Sequence, residues 1–487
     1  MLLFLSGIAL LIIGYFTYGK FVERVIGIDD RETPAKTNFD GIDFLYLPHW
    51  KNMLIQLLNI AGVGPVIGVI LGIKFGSITF LIIPLGNIIA GAVHDFLSGM
   101  MSLRHGGANL PALIRLTLGE VYYRFFSIFM TILLLLVVAV FINIPAGLIN
   151  LMLPDKEIFW IAVAAIFIYY ICATLFPVDK IIGRIYPFFG MLLMLGTFAL
   201  FIALMLECFG NPSLLAESTE FKKQMNTAPV IPVLFVTIAC GIISGFHATQ
   251  SPIIARTMSS EHQGRQAFYG MMVIEGLIAM IWAAAGMAIY NLEPALMSAG
   301  ATDVLKSITS HFLGGTMSAL TIIGIVVLAV TSGDTAMRSL RLSLSEILNI
   351  NQKPFKKRIL LCLPLIIIVA ALLWWSNLSA KSFANLWNYF AWGNQVLAAS
   401  TLLAGVAWLH RQKKNTWIAA IPGAFMVFII VSYILWVSPS KSGPVGFGLP
   451  LSTSYIIAGY FPYCHCYGHT AGEKDFKIRA RIMRARI

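Results

Sequence analysis

Charge is what this sequence has least of. Of its 487 residues, 11% are Asp, Glu, Lys or Arg and 58% are hydrophobic, where an ordinary soluble domain carries about 25% charged residues. That shortfall excludes a water-soluble globule; an all-α integral membrane protein of many spans is expected, with no soluble signalling domain. Cysteine is scarce as well. The six cysteines give no disulfide framework, and Cys172, Cys208, Cys240 and Cys362 lie in or at the ends of apolar segments, where a thiol behaves as a small hydrophobe. Only Cys464-His465-Cys466, with His469 nearby, looks like a metal-ligand cluster, and it lacks the spacing of a zinc module. No metal or other cofactor is expected. The net charge of +12 does not point to nucleic acid, because the basic residues fall between apolar runs.

Runs long enough to cross a bilayer, about 20 residues each, fall at 2–19, 52–73, 78–102, 122–150, 157–176, 183–208, 230–250, 266–291, 315–348, 358–376, 382–410 and 416–437, with a weaker thirteenth at 444–462. The first lacks the basic start and small-residue cleavage site of a signal peptide, so it is expected to remain as a span. Most of the 34 Lys and Arg residues occupy alternate loops, which the positive-inside rule assigns to the cytoplasm, with the N-terminus outside. The basic tail, from Lys474 to Arg486, is then cytoplasmic too, which requires 443–462 to cross. One transmembrane domain results: 1–51 holds the first span and a loop, 52–208 and 230–410 are five-span units of opposite topology, 411–463 adds two spans, and 464–487 is the basic tail.

Two spans are interrupted. Gly241-Ile-Ile-Ser-Gly-Phe-His-Ala-Thr-Gln-Ser-Pro252 lies deep in one, and Asn59-Ile-Ala-Gly-Val-Gly-Pro-Val-Ile-Gly68 lies in the first span of the other unit. Glycine and proline at that depth break the hydrogen-bond ladder, and the freed backbone is tolerated only where it is buried in protein or lines a wet cavity. Paired breaks in corresponding halves are the best sequence pointer to a secondary transporter's site. The arrangement is similar to the 5+5 inverted repeat of LeuT-like transporters. The expected substrate contacts are therefore Ala61, Gly62, Val63 and Gly64 at one break and Ser244, Gly245, Phe246, His247, Thr249 and Gln250 at the other.

In a LeuT-like core the third span of the second repeat faces the first broken helix and supplies hydroxyls to a coupling cation. Here that span holds Ala329-Val-Thr-Ser-Gly-Asp-Thr335. Thr331, Ser332, Asp334 and Thr335, with carbonyls of Ala61 and Val63, would give a hard cation such as sodium its oxygens. The bland alternative has the hydroxyls bonding back to their own helix and Asp334 at a boundary near Arg338. Ionisable groups inside a membrane are functional candidates by default; His247, Glu275 and Asp95 form a candidate proton relay. His94 and Asp95 have a competing interfacial reading, in which they pair with Arg104 at the cytoplasmic edge. Arg104-His-Gly-Gly-Ala-Asn-Leu-Pro111 reads as a turn and helix start, and the aromatics around Trp387 and Trp392 read as packing.

At Ser244-Gly-Phe-His247, Ala61-Gly-Val-Gly-Pro65 and Gly91-Ala-Val-His-Asp-Phe96 the chain resembles the bacterial carbon starvation protein A (CstA) family, from the first span through about Gly405. Typical members carry a glutamine in place of His94, and the long members extend further. The resemblance implies a carrier of the bacterial inner membrane, not an enzyme, that takes up peptides or pyruvate when carbon is scarce, driven by H+ or Na+. Both substrates carry a carboxylate, which half-helix N-termini hold without a cationic side chain. The alternatives are an ion or solute channel, which would need a continuous polar path but no paired breaks, and a starvation-response membrane protein without transport activity.

Overall fold

Glycine and proline decide where the apolar runs stay straight and where they bend. The computed structural model describes residues 1–41, 43–153, 156–175, 178–219, 221, 228–352, 354–438 and 446–467, and no side chains at 156–157, 178–189, 380 or 461–467. The Cys464, His465, Cys466 and His469 group and the basic tail thus lie outside the described side chains. Every element among the described residues is helical. In chain order these are α1 Leu2–Ile26, α2 His49–Ile60, α3 Gly64–Phe75, α4 Thr79–Arg104, α5 Leu110–Leu118, α6 Glu120–Met152, α7 Ile158–Leu175 and α8 Gly190–Gly210. Then follow α9 Val230–Thr237, α10 Ala239–Ile242, α11 Gly245–Ala255, α12 Glu261–Leu292, α13 Ala301–Ile347, α14 Phe355–Ser376, α15 Ala380–Arg411, α16 Trp417–Trp436 and α17 Leu451–Tyr467.

Nine of these are long and apolar enough to cross a membrane, and the bent pairs α2–α3 (53°) and α9–α11 (69°) bring the described total to eleven. The runs expected at 382–410 and 444–462 form α15 and α17 but do not join that set. α15 nevertheless packs inside the bundle through Leu386, Phe390, Leu397 and Leu402, all buried.

The two broken helices lie side by side and antiparallel along both halves. On one half, Asn52 of α2 bonds Thr257 just past α11 (Nδ2 to the carbonyl, 3.2 Å; hydroxyl to Oδ1, 2.7 Å). On the other, Gly64 meets Cys240, Gly68 meets the Thr237 carbonyl and Gly72 meets Ile238. The approach explains Gly64: a Cβ there would lie 2.0 Å from the Cys240 Cβ. The break in the first helix falls at Ala61–Val63; the second helix bends between Thr237 and Ala239 and opens again at Ile243 and Ser244, whose backbone is extended.

α4 runs parallel to α11, tied by Ser98 to Ser251 (hydroxyls 2.8 Å apart) and by Arg256 Nε donating to the Gly107 carbonyl (2.8 Å). α13 crosses the first break after a bend at Gly314, whose φ of 68° only glycine adopts readily. Its charged end does not stand free in solvent. Arg338 and Arg341 are buried; Arg338 donates to the Ala173 carbonyl (2.6 Å) and Arg341 to Gln352 (2.8 Å). The turn after α4 is confirmed at His105–Gly107, with Asn109 preceding α5.

The loops richest in Lys and Arg are joined to one another at one end of the bundle. Buried Glu261 accepts both arms of Arg104 (2.9 and 2.8 Å) and the Asp29 amide (3.2 Å), and pairs with Arg31 (3.2 Å). Arg104 also donates to the Gly27 carbonyl (2.6 Å), and Lys414 to that of Ile26. At the far end of the 26-residue α4, about 39 Å away by helical rise, Ser77 bonds Glu217 (2.6 Å) and nearby Lys74 bonds the Met297 carbonyl (2.8 Å).

Candidate functional site

Four ionisable side chains meet where α4, α11 and α12 pack together, and all four are at most 1% exposed. Asp95 is their centre: one carboxylate oxygen is 2.8 Å from His94 Nδ1 and the other 3.0 Å from His247 Nδ1. His247 Nε2 lies 3.7 Å from Glu275 Oε2, and His247 also reaches the carbonyl of Ile60, the last residue before the first break. His247 therefore stands where the two broken helices cross. Buried charge is costly unless paired, and among the described residues no Lys or Arg pairs with Asp95 or Glu275. The charge balance of the cluster is set by protons on the imidazoles and carboxyls.

The local sequence explains the convergence. A wide turn at Asn87–Gly91 resets the register of α4 just before His94, and another at Arg265–Gly270 does so in α12 just before Glu275; such π-turns collect at functional sites. Asn87 bonds the Met272 carbonyl (2.9 Å), locking the two wide turns against each other. An imidazole with a carboxylate at each nitrogen can accept a proton on one side and release one on the other. Neither oxygen of Glu275 has a hydrogen-bond partner among the described residues, nor has His94 Nε2.

The interfacial reading of His94 and Asp95 is corrected by this geometry. Both are fully buried in the cluster, and Arg104, their supposed partner, is taken by Glu261. Sequence proximity misled because the α4 register turns residues 94 and 95 inward while Arg104 faces the loops.

At the first break the expected cation set is partly assembled. Ser332 donates to the Leu58 carbonyl (3.2 Å), Thr335 lies 3.2 Å from Asn59 Oδ1 and 3.0 Å from Asp334 Oδ1, and Tyr169 donates to Asp334 Oδ2 (2.6 Å). Gly62 faces the Ser332 hydroxyl. Thr331 bonds back to Leu328 (2.8 Å), as the bland alternative had it, but Asp334 is buried beside Tyr169 rather than at a boundary. Among the described residues no three His, Cys, Asp or Glu side chains group as metal ligands.

The second break is held by a residue that sequence reasoning missed. Asn394 of α15 accepts from Phe246 N (2.7 Å) and donates to Ser244 Oγ (2.7 Å), while His247 N bonds the Ser244 carbonyl (3.1 Å). The N–H groups of Phe246 and His247 are thus committed within the protein, and at the first break so are those of Ala61 (to the Leu57 carbonyl, 2.8 Å) and Gly62 (to the Ile60 carbonyl, 2.7 Å). Gln395 donates to the Ile243 carbonyl (3.4 Å), leaving its Oε1 without a partner among the described residues. Both amides sit in the aromatic stretch around Trp387 and Trp392; Trp392 packs as expected, donating to the Ile430 carbonyl (3.0 Å). Thr249 and Gln250 bond each other (2.8 Å) one turn beyond His247.

The family described as carbon starvation protein CstA matches residues 1–163, 148–295 and 293–432. An uncharacterized membrane protein of Haemophilus influenzae is 40% identical over 348 residues, 61% of this chain and 94% of that one. The peptide transporter CstA of Bacillus subtilis is 30% identical over 350 residues, covering 60% of this chain and 58% of its own. The pyruvate/proton symporter BtsT of Escherichia coli is 26% identical over 355 residues, covering 60% and 49%. The chain thus spans about half the length of these two named transporters. Among solved structures, a manganese transporter of Eremococcus coleocola aligns over 92% of this chain and 95% of its own at 12% identity and a TM-score of 0.40, too slight a likeness to argue from.

Proposed function

From the premise that the chain belongs to the carbon starvation protein CstA family, we propose that it is a secondary transporter of the bacterial inner membrane. It takes up small carboxylate-bearing nutrients, peptides or pyruvate, in symport with protons. The observation that carries this reading is the position of His247, a buried imidazole between Asp95 and Glu275 at the crossing of two broken helices. A titratable cluster sealed from solvent at paired breaks is the equipment of a proton-coupled carrier. The names of the Bacillus and Escherichia relatives supply the two substrate classes.

In this mechanism the substrate carboxylate sits at the first break, between Gly62 and Gly64, where the α3 N-terminus carries partial positive charge. Protonation within the His247 cluster accompanies binding. The antiparallel pairing of the broken helices supports a LeuT-like inverted repeat whose halves rock between access states, with the N-terminus outside and the C-terminus cytoplasmic. The buried hydroxyls and carboxylate of Ser332, Asp334 and Thr335 at the first break favour a second reading, sodium coupling. Uptake of labelled pyruvate and of a labelled dipeptide into proteoliposomes, under a proton gradient and separately under a sodium gradient, tests both. Accumulation only under sodium overturns the proton reading, and flux without accumulation replaces the carrier by a channel.

A further inference from the structure

Gln56 of α2 and Gln250 of α11 are fully buried amides with unmatched polar atoms. Neither Nε2 nor Oε1 of Gln56, nor Oε1 of Gln250, has a hydrogen-bond partner among the described residues. Buried polar groups are almost always paired, and each one left unpaired costs about 1–3 kcal/mol. Two such groups on facing helices of a transport core mark a place built for something else to bind.

The anchors of the α2–α11 pair fix where they lie. Asn52 bonds Thr257 at one end and Ile60 meets His247 at the other, so Gln56 is level with residues near 252 of α11. Gln250 points from the same side of α11 as Thr257. The two amides therefore face one seam within about one helical turn, and Gln56 lies about 6 Å along the axis from the first break. Ser339 of α13 closes the seam by donating to the Thr249 carbonyl (3.1 Å).

The network also settles which atom of Gln250 is which. Thr249 spends its hydroxyl proton on the Phe246 carbonyl (2.7 Å), so it can only accept from Gln250, whose Nε2 is 2.8 Å away. The unmatched Oε1 of Gln250 is an acceptor and needs a donor. A 2-oxo acid anion has no N–H or O–H to offer; an ammonium or amide N–H has.

We infer that Gln56 and Gln250 form a specificity-determining subsite that takes a hydrogen-bond donor of the substrate, an amino or amide N–H, on the side of the first break opposite α3. The inference rests on the transporter reading above and narrows it: the preferred solute carries a carboxylate and, several ångströms away, an N–H group. Gln56, able to donate and accept, reads the neighbouring carbonyl or amide.

The test is calorimetric titration of the purified full-length chain with L-alanyl-L-alanine and with pyruvate, comparing wild type, Gln250→Leu, Gln56→Leu and Gln250→Glu. The dipeptide is expected to bind wild type, to bind each leucine variant about tenfold or more weakly, as the loss of a charge-assisted hydrogen bond implies, and to keep its affinity in Gln250→Glu, which preserves the acceptor. Pyruvate affinity should change by less than about twofold in Gln250→Leu, since that anion makes no bond of this kind there. Thermal midpoints of the leucine variants should equal or exceed wild type, because no internal hydrogen bond of a side chain is lost at Gln56 and only one at Gln250. A dipeptide that fails to bind wild type, or binds both leucine variants unchanged, overturns the subsite, as does an equal loss of both ligands. Dipeptide binding without uptake in proteoliposomes would leave the subsite standing and remove the transporter; pyruvate uptake without dipeptide binding would do the reverse.

Discussion

His247 Nδ1 lies 3.0 Å from Asp95 Oδ2, and through that one contact the second broken helix is joined to the buried face of α4. The pair is the hub of the site: Asp95 also holds His94, and His247 also faces Glu275 and the end of α2. Substituting Asp95 leaves two imidazoles without their acceptor. Asp95→Leu is expected to cost about 3–5 kcal/mol of stability, the usual range for breaking a buried pair, whereas Asp95→Asn keeps an acceptor and stays folded. Asp95→Asn should still lose proton-driven uptake. Thermal unfolding and uptake measured on both variants check this; an active Asp95→Asn removes Asp95 from the relay.

Gly64 and Cys240 set how closely the broken helices approach. Gly64→Ala introduces a Cβ 2.0 Å from the Cys240 Cβ and is expected to destabilise by about 1–3 kcal/mol, as overpacking does. The double variant with Cys240→Gly should recover most of that loss. A double-mutant cycle in thermal unfolding reads the coupling, and additive losses would mean the two residues are not in contact.

Much of this arrangement is legible in the sequence, and the boundary of legibility has physical causes. Apolar length and the Gly/Pro interruptions announce the spans and both breaks, because a bilayer leaves few ways to satisfy a backbone. The partners of buried polar groups are not announced. Arg104 finds Glu261 across 157 residues of sequence, so its proximity to Asp95 in the chain was misleading. Asn394 and Gln56 are each one of several amides in their helices, and only the packing of α15 on α11 and of α2 on α11 gives them meaning. The wide turns at Asn87–Gly91 and Arg265–Gly270, which rotate the cluster inward, leave no simple compositional mark.

Asn394 clamps the second break by bonding both Ser244 and Phe246. Asn394→Leu strands a buried N–H and a hydroxyl and is expected to cost about 1–3 kcal/mol; Asn394→Asp should restore the bond to Phe246 N. Chemical denaturation of the three proteins measures the difference. Equal stability of Asn394→Leu and wild type would show that the break is held by packing alone.

Outside the spans, the hydrogen bond from Arg31 holds the Asp29 carboxyl below the usual carboxylate range. A carboxyl lowered in the folded state contributes stability above its unfolded value, about 3.9, and loses it only as pH falls below that. The exposed Asp29–Arg31 contact therefore does not titrate between pH 5 and 8. Asp29→Asn should leave the pH profile of uptake in that window unchanged. A profile that moves with Asp29→Asn would place part of the proton dependence in the loops.

The most direct measurement of the central claim is substrate-driven proton entry. Proteoliposomes of the purified chain, loaded with a pH-sensitive dye and held without a sodium gradient, receive pyruvate or a dipeptide on the outside. The account predicts internal acidification that follows substrate addition in the wild type and is abolished in His247→Ala, although that variant retains its fold. Acidification of equal size in His247→Ala, or substrate uptake with no proton entry in the wild type, would contradict it.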